Sequence, residues 1–326
     1  MTSKEIVRNT LRFQNTERMP YDFPEHWGYP SDFYGAGVWP SPDARPSSGT
    51  DEWGCVWKNI GCSALGEVEY APIGDWKDFD KIKIPDIMEP HRWQHLEGLR
   101  EKAGDKYILS FSVSLYERAH FLRGQENAWA DVYEHPSEMG ALVDILADMS
   151  VAAIRKYGEL GADGVNFCDD WGLQNTLMIS PEKWREIWMP RYERVFAAAH
   201  ECGMDTFMHS CGHIVSILDD LIAIGLDAIN MDQQMNMGLD LLSERFRGRI
   251  TFYNPVDIQA ILPTGDLDLI RRYCREMAEK LGTPQGGFIP KWYSDPKGAG
   301  HEEAAVRAMI EEFIAMDAER ELRIKN

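Results

Sequence analysis

Short apolar runs and longer amphipathic segments alternate along the chain from about residue 91 onward. The short runs are typical of buried strands, whereas the longer segments carry apolar residues three and four positions apart, as an amphipathic helix does. Turns that contain glycine separate most of the units. Seven strands are predicted near Met19, Ile108, Gly164, Asp205, Ala228, Ile250 and Gly287.

The predicted helices include a first one over residues 2–14, with Thr2 or Ser3 as its cap. Further helices are predicted over 91–104, 116–136, 137–161 and 180–203, the last opened by Ser180 as cap and by Pro181 in its first turn. Strands that alternate with helices favour βαβ units and a parallel sheet.

The predicted fold is an α/β protein built as a single (β/α)₈ TIM-type barrel over residues 1–326. A GxGxxG turn after a strand is absent, which argues against a dinucleotide-binding sheet. A loop-rich N-terminal insertion, about 29–90, has little helical period, and an eighth strand is expected inside it. Loops of this length are often a lid or a wall over a site. The alternative is a solvated excursion that covers the barrel bottom.

In such a barrel the carboxyl ends of the strands converge on one mouth, where chemistry is placed. Polar residues follow every predicted strand, and they are Glu25 and His26; Ser112, Ser114 and Glu117; Asp169 and Asp170; His209 and Cys211; Asp232 and Gln233; Asn254 and Asp257; and Lys291, Tyr293 and Asp295. The strand interiors are apolar, so the mouth is the expected site.

His209 and Cys211 stand at the end of a short buried strand, Asp205 to Met208. Period-2 alternation points the two side chains the same way. Imidazole nitrogen and thiolate sulfur are ligands that Zn²⁺ prefers. A buried structural histidine beside an inert cysteine is the alternative, because two ligands alone do not make a site.

For other residues at the strand ends, both a functional and a structural role are considered. Asp169 and Asp170 could orient a metal ligand or accept a proton, or they could cap a turn. Asp232 could complete a metal site or fix the tautomer of His209. Trp171 and Trp292 could wall a planar substrate or belong to the core. Glu117 and Arg118 lie early on a helix, and a surface or intrahelical pair is expected for them.

Composition narrows the class of protein. Lys and Arg total 34 against 53 Asp and Glu, a net charge of −19, which disfavours nucleic acid and anionic membranes as partners. No apolar run approaches the roughly 18 residues that a membrane span needs. The six cysteines contain no CxxC pair and form no disulfide framework. A cytoplasmic protein is therefore expected.

Several motifs, taken in order, resemble the uroporphyrinogen decarboxylase superfamily. They are LYERAHFLRG (115–124), CDDWG (168–172), SPEKWREIWMPRYERVF (180–196), HSCG (209–212), LDAINMDQ (226–233) and ITFYNPVD (250–257). The resemblance implies a (β/α)₈ barrel and one of two activities. One branch decarboxylates uroporphyrinogen without a cofactor. The other resembles cobalamin-dependent methyltransferases and uses Zn²⁺.

The methyltransferase branch is the better match. Decarboxylases of the family carry an RQAGR-like motif after the first strand, whereas the matching FPEHWGYP (23–30) contains no arginine. A tetrapyrrole with many carboxylates needs such cations. His209 and Cys211 match the zinc motif of the methyltransferase branch. The third cysteine of its thiol-activating members is missing from FIPKWYSDP (288–296), so Asp170, Asp232, Asp295 or His301 would have to substitute.

The resemblance thus implies an O-demethylase-like enzyme that moves a methyl group from a small, methoxylated aromatic donor to a corrinoid protein carrying cobalamin. The chain has no DxHxxG corrinoid motif, so the partner is expected in trans; a homodimer is left open. A decarboxylase or a cofactor-free binding protein is the alternative. The predicted metal ligands are His209, Cys211 and Asp232, the catalytic residues Asp169, Asp170, Glu25, His26 and Tyr293, and the substrate-binding residues Trp171, Asn254, Trp292 and Gln233.

Overall fold

Seven parallel strands form the main sheet of the computed structural model, which describes residues 1–59, 61, 66–293 and 300–325. Along the sheet each strand pairs with the next barrel strand of the chain. In order they are β1 (Phe33–Ala36), β5 (Tyr107–Phe111), β6 (Gly164–Cys168), β7 (Asp205–His209), β8 (Ala228–Asn230), β9 (Thr251–Asn254) and β10 (Phe288–Pro290). β1 is the strand expected inside the insertion, and that prediction is confirmed.

Helices surround the sheet and link its strands. Their bounds are α1 (Ser3–Leu11), α2 (Leu99–Ala103), α3 (Tyr116–Arg123), α4 (Gln125–Glu134), α5 (Pro136–Glu159), α6 (Pro181–Ile187), α7 (Met189–Glu201), α8 (Val215–Ala223), α9 (Leu239–Phe246), α10 (Leu267–Leu281) and α11 (Glu303–Lys325). The predicted α/β barrel is therefore confirmed. Within the described residues, no helix has the length and apolar character that crossing a membrane requires.

A short segment around Asp22 closes the ring between the two edge strands. Asp22 forms a parallel bridge with Lys291, just after β10, and an antiparallel bridge with Ser31, just before β1. The strand predicted near Met19 is wrong as a regular strand, because within the described residues this segment forms only these two isolated bridges. Pro20 and Pro24 flank it, and a proline has no N–H for a strand ladder.

Three predicted helices are interrupted, two of them at an identifiable residue. Gly124, at φ +82°, separates α3 from α4, and such a φ suits a residue without Cβ. Pro190 lies in the first turn of α7, where the missing N–H costs least, so the segment after Ser180 forms α6 and α7. Residues 91–104 contain two short 3₁₀ turns, which end at Arg92 and Leu96, and only α2 is α-helical.

The insertion contains a second, antiparallel sheet of β2 (Gly49–Thr50), β3 (Val56–Asn59) and β4 (Gly66–Tyr70). Trp53 and Trp57 are buried in the main core. Asp43 accepts hydrogen bonds from the backbone and hydroxyl of Ser114, which follows β5. These contacts put the insertion beside the barrel mouth, and it is not a solvated excursion over the bottom.

A small apolar cluster fills the interior of the barrel and is separate from the main core. It joins Val7 and Leu11 of α1 to inward residues of several strands, including Phe33, Phe207 and Tyr253. The cap of α1 is a reciprocal pair, in which Thr2 Oγ1 accepts from the Glu5 amide at 3.2 Å and Glu5 accepts from the Thr2 amide at 2.8 Å. α1 thus closes the floor of the barrel, and the opposite end stays open.

A candidate metal and substrate site at the barrel mouth

A cavity of about 730 Å³ opens at the carboxyl ends of the strands. Much of its wall is aromatic, from Phe33, Phe111, Tyr253, Trp292 and Tyr293. Polar lining residues from β6, β7 and β8 and from just after β10 are Asn166, Cys168, His209, Asn230 and Lys291. Further polar lining residues come from the segment before β1, and they are Asp22, Glu25, His26 and Ser31. A mostly apolar pocket with a few convergent polar groups is typical of small-molecule sites.

Three side chains at the mouth could hold a metal ion together. One ligand atom each from Asp170, His209 and Cys211 lies within 4.8 Å of the others. His209 Nε2 is 3.4 Å from the Cys211 sulfur and 3.3 Å from Asp170 Oδ1. The group therefore offers one nitrogen, one sulfur and one oxygen, all types that Zn²⁺ accepts.

Two glycines allow the loops that carry these ligands to cross. A Cβ on Gly212 would lie 2.1 Å from the carbonyl oxygen of Gly172, and one on Gly172 would lie 2.3 Å from the His213 nitrogen. The Gly172 amide donates to the carbonyl of Cys211 at 3.0 Å. The amide of Cys211 in turn donates to Asp170 Oδ1 at 2.8 Å. Without this close approach, Asp170 would not reach the end of β7.

Asn230 orients the imidazole of His209. Its Oδ1 lies 2.8 Å from His209 Nδ1, while its Nδ2 donates to Asp232 Oδ1 at 2.8 Å. Because an amide oxygen only accepts, Nδ1 carries a proton, and Nε2, which faces Asp170 and Cys211, is the nitrogen that could bind a cation once its own proton is displaced. An outer partner of this kind is the usual support of a metal-binding histidine.

The three groups influence one another's protonation. Burial raises the pKa of Cys211 to about 11, so a cation would have to displace its proton. Burial is the largest single influence on Asp170 and opposes its ionisation, but the hydrogen bond and charge of His209, the amide of Cys211 and the charge of Arg45 together lower the pKa of Asp170 to about 2. For His209, burial favours the neutral ring, yet Asp232 and other nearby negative groups raise its pKa well above the usual range.

Comparison with known proteins identifies the family. The family model of uroporphyrinogen decarboxylase (URO-D) matches residues 64–290. The chain belongs to the uroporphyrinogen decarboxylase family. Uroporphyrinogen decarboxylases of Bacillus cereus (strain B4264) and Bacillus thuringiensis (strain Al Hakam) are each 27% identical over 184 residues, covering 53% of this chain and 51% of theirs. The chain thus spans about half the length of these curated relatives.

A solved structure described as a methyltransferase from Methanosarcina mazei has the same fold over nearly the whole length. Its TM-score is 0.70 at 17% identity, and the match covers 97% of this chain and 99% of that one. At this identity the likeness is one of fold. It agrees with the barrel that the family match implies.

Of the predicted metal ligands, His209 and Cys211 lie close together in the fold, and the third side chain beside them is that of Asp170. Asp232 is not part of that group, because its carboxylate accepts from Asn230 Nδ2 and from the hydroxyl of Tyr293. Its position fits the other role considered for it, which is support of His209 through Asn230. Asp295 lies outside the described residues.

Asp169 and Trp171 lie behind the mouth and do not line the cavity. This position does not fit the catalytic role predicted for Asp169 or the substrate-binding role predicted for Trp171. The Asp169 carboxylate accepts from the amides of Leu115, Tyr116 and Glu117 at 2.8–3.1 Å and from the hydroxyl of Tyr192 at 2.7 Å. It therefore anchors the start of α3, and burial raises its pKa to about 6. Trp171 is fully buried and stacks on Tyr116, with ring centroids 4.1 Å apart.

Of the remaining predicted residues, Glu25, His26, Trp292 and Tyr293 line the cavity. Glu25 and His26 are exposed at its rim, where Glu25 accepts from Lys106 Nζ at 2.6 Å.

Gln233 and Asn254 do not line the cavity, so their positions do not fit the substrate-binding role predicted for them. Gln233 accepts from the amide of Gly212 at 2.6 Å, and Asn254 accepts from the amide of Met231 at 2.9 Å. Both support the loops of the mouth from behind.

Glu117 and Arg118 are buried, so the surface or intrahelical pair expected for them is wrong. Glu117 is paired at 3.1 Å with Arg45 of the insertion, and Arg118 bonds to Asp51 at 2.7 Å. Burial raises the pKa of Glu117 to about 8, although Arg45 acts in the opposite direction. These partners lie some 70 residues away, which a local pattern cannot indicate.

Sequence reasoning missed Asp22, Asn166 and Asn230 as cavity residues. Asn230 ends the buried strand AIN, and a polar residue at the end of a buried strand is a pattern that could have indicated a site residue. Asp22 belongs to a segment whose bridge partners are distant in the chain.

A second group with metal-ligand atoms, Asp131, Glu134 and His135, lies on α4 and just beyond it. Asp131 already accepts from Arg123 Nε at 2.5 Å and from Trp76 Nε1 at 3.0 Å. A cation there would compete with a buried guanidinium, so this group is the weaker candidate.

Proposed function

We propose that the protein is a methyltransferase that moves a methyl group from a small donor, with methoxylated aromatic compounds as first candidates, to the cobalt of a separate corrinoid protein. The observation that carries this proposal is the group of Asp170, His209 and Cys211 at a cavity with aromatic walls. The fold shared with the methyltransferase from Methanosarcina mazei agrees with it.

The donor atoms of this group fit Zn²⁺. Three protein ligands leave one position open, which is the pattern of a catalytic zinc site rather than a structural one. When bound, Zn²⁺ supplies a Lewis acid that draws charge from the heteroatom losing its methyl group. Asp170, as the hard ligand, replaces the third cysteine that thiol-activating relatives would use.

The chain's own residues prepare the donor and the ligands. Asn230 fixes the tautomer of His209, so that Nε2 is available. Phe111, Tyr253 and Trp292 offer flat apolar surfaces to an aromatic donor. In the reaction the methyl carbon passes to the partner's cobalt, and the donor oxygen keeps the electron pair of the broken bond. The open mouth is where the corrinoid partner would dock.

Uroporphyrinogen decarboxylation is the second candidate, because the family and the Bacillus relatives carry that name. A substrate with many carboxylates needs several cations to bind it. Among the described residues that line the cavity, Lys291 is the only lysine or arginine. The carboxylates of Asp22 and Glu25 share that wall. This charge balance favours methyl transfer.

The test is a reconstituted assay with purified protein, Zn²⁺, cob(I)alamin and a set of methoxylated aromatic compounds. We expect conversion of cob(I)alamin to methylcobalamin with at least one donor, seen as a change in its absorption spectrum. His209→Ala should abolish it. Uroporphyrinogen serves as the parallel substrate. No methyl transfer from any donor, together with decarboxylation of uroporphyrinogen, would replace this proposal with the second candidate.

A further inference from the structure

Lys291 is a buried cation in the wall of the mouth cavity. None of the described carboxylates forms an ion pair with it. The residue is only 7% exposed to solvent. Nζ donates one hydrogen bond, to Asn230 Oδ1 at 3.1 Å. An ammonium carries three donors, so two remain without an acceptor among the described residues. Burying a charge in this way is costly unless a partner arrives.

The two carboxylates that influence the charge of Lys291 most, Asp232 and Asp22, are occupied by neutral donors. Asp22 accepts from the hydroxyls of Tyr253 and Ser31. Asp232 accepts from the Tyr293 hydroxyl and from the Asn230 amide. Both carboxylates affect the charge of Lys291 from a distance, but neither forms an ion pair with it. The polar arrangement thus keeps the ammonium available.

Two aromatic rings hold the ammonium in place. Nζ lies 4.2 Å from the ring centroid of Tyr293 and 4.9 Å from that of Tyr253. Cation–π contacts of this kind position a charge without consuming its hydrogen-bond donors. Both rings also line the cavity, so the cation faces the same space as a bound ligand.

The rest of the wall suits an anion attached to a flat apolar body. Trp292 is 3% exposed, and it forms part of the apolar wall of the cavity. Burial lowers the pKa of Lys291, and a bound anion would reverse that effect.

We propose that Lys291 selects the donor by binding a carboxylate, so that the substrate is an aromatic carboxylate and not a neutral methoxylated ring. This inference rests on the proposed function and names its substrate class. Lys291 and His209 bond to the same oxygen of Asn230, so the carboxylate would bind next to the candidate metal group.

The test is equilibrium binding of two matched probes, 3-methoxybenzoate and 3-methoxybenzamide, measured by calorimetry with the purified, zinc-loaded full chain. The probes have nearly the same shape and differ in charge. We expect the benzoate to bind about tenfold or more tightly than the amide, as charge-assisted hydrogen bonds imply. Equal affinities, or no binding of the benzoate, would overturn the proposal without use of any variant.

Variants then assign the preference to one residue. Lys291→Met should reduce the affinity ratio to about one while zinc content stays unchanged, and Lys291→Arg should keep most of the preference. Lys106→Met is the matched control, because Lys106 pairs with Glu25 at the rim. A preference that survives in Lys291→Met would contradict the proposal.

Binding and turnover separate the two proposals. A preference for the benzoate without methyl transfer would defeat the proposed function and leave the anion site. Methyl transfer from neutral donors without such a preference would defeat the anion site alone.

Discussion

Asp163 and Asp170 stand at opposite ends of β6, and their surroundings differ. Asp163, just before the strand, is 1% exposed and is paired with Lys4 at 2.6 Å, Arg100 at 2.8 Å and Arg8 at 3.3 Å. Asp170, just after the strand, bonds to His209 and to the amide of Cys211, and no described lysine or arginine forms an ion pair with it.

The difference separates a structural end of the barrel from a chemical one. At the floor, the buried carboxylate of Asp163 is neutralised by cations of the chain itself, which stabilises the fold. At the mouth, the ligand atoms are gathered around a position that a cation could fill, and Lys291 faces the cavity without an anion. Barrel enzymes place chemistry at the carboxyl ends of their strands. The two ends should therefore respond differently to mutation.

The largest effect on stability is expected at the floor. Asp163→Asn removes the charge that three cations share, and breaking a buried pair in this way costs about 3 kcal/mol. Urea unfolding followed by circular dichroism measures the loss. Zinc bound per folded chain should stay unchanged. Asp148→Asn is the control, because Asp148 is exposed and paired with Arg194 at the surface, and it should cost less than about 0.5 kcal/mol. A larger loss at Asp148 than at Asp163 would break the comparison.

At the mouth, Asn230→Ala should lower the metal affinity strongly while changing the free energy of unfolding much less. It removes the acceptor that fixes His209 Nδ1, and loss of such a partner typically lowers metal affinity about 10- to 100-fold. Titration against a chelator measures the affinity. Asn166→Ala is the matched control, since Asn166 lines the same cavity and makes no bond to His209. An equal loss in both variants would argue that the cavity, and not the imidazole, was disturbed.

The smallest effect is expected at Glu117. Its pKa in the fold, about 8, lies above that of an unfolded glutamate, about 4.3. The protonated group therefore stabilises the fold at low pH, and this contribution declines as the pH rises from about 4.3 and is lost above about 8. Glu117→Gln mimics the protonated state, so at pH 4, where Glu117 is largely protonated in both the folded and the unfolded chain, its free energy of unfolding should differ from that of the wild type by less than about 1 kcal/mol.

Between pH 6 and pH 9 the wild type should lose more stability than the Glu117→Gln variant. Urea titrations at the two pH values measure this, with Glu25→Gln at the exposed rim as control. The same pH dependence in wild type and Glu117→Gln would show that Glu117 does not carry this titration.

Local patterns were sufficient for much of the architecture and for two of the three candidate ligands. The strand before His209 was predicted from a short apolar run, and alternation correctly paired His209 with Cys211, whose ligand atoms lie 3.4 Å apart. The first strand was misplaced, because residues around Asp22 are apolar but flanked by prolines, and β1 lies instead in the insertion.

The third ligand and the pairing of Glu117 depend on contacts between distant segments. Asp170 reaches His209 only because Gly172 and Gly212 let two loops cross, and nothing local distinguishes Asp170 from Asp232. Arg45 meets Glu117 across 72 positions of the chain. Such contacts follow from the closed barrel and its insertion, so they require the fold itself.

The most direct test of the account is the zinc content of the purified protein, measured by mass spectrometry after dialysis. We expect about one zinc ion per chain in the wild type and in Cys202→Ala, whose cysteine lies at the end of α7. His209→Ala, Cys211→Ala and Asp170→Asn should each retain almost none, while remaining folded. A wild type without zinc after growth in zinc, or full zinc content in these three variants, would contradict the claim that the mouth holds a metal.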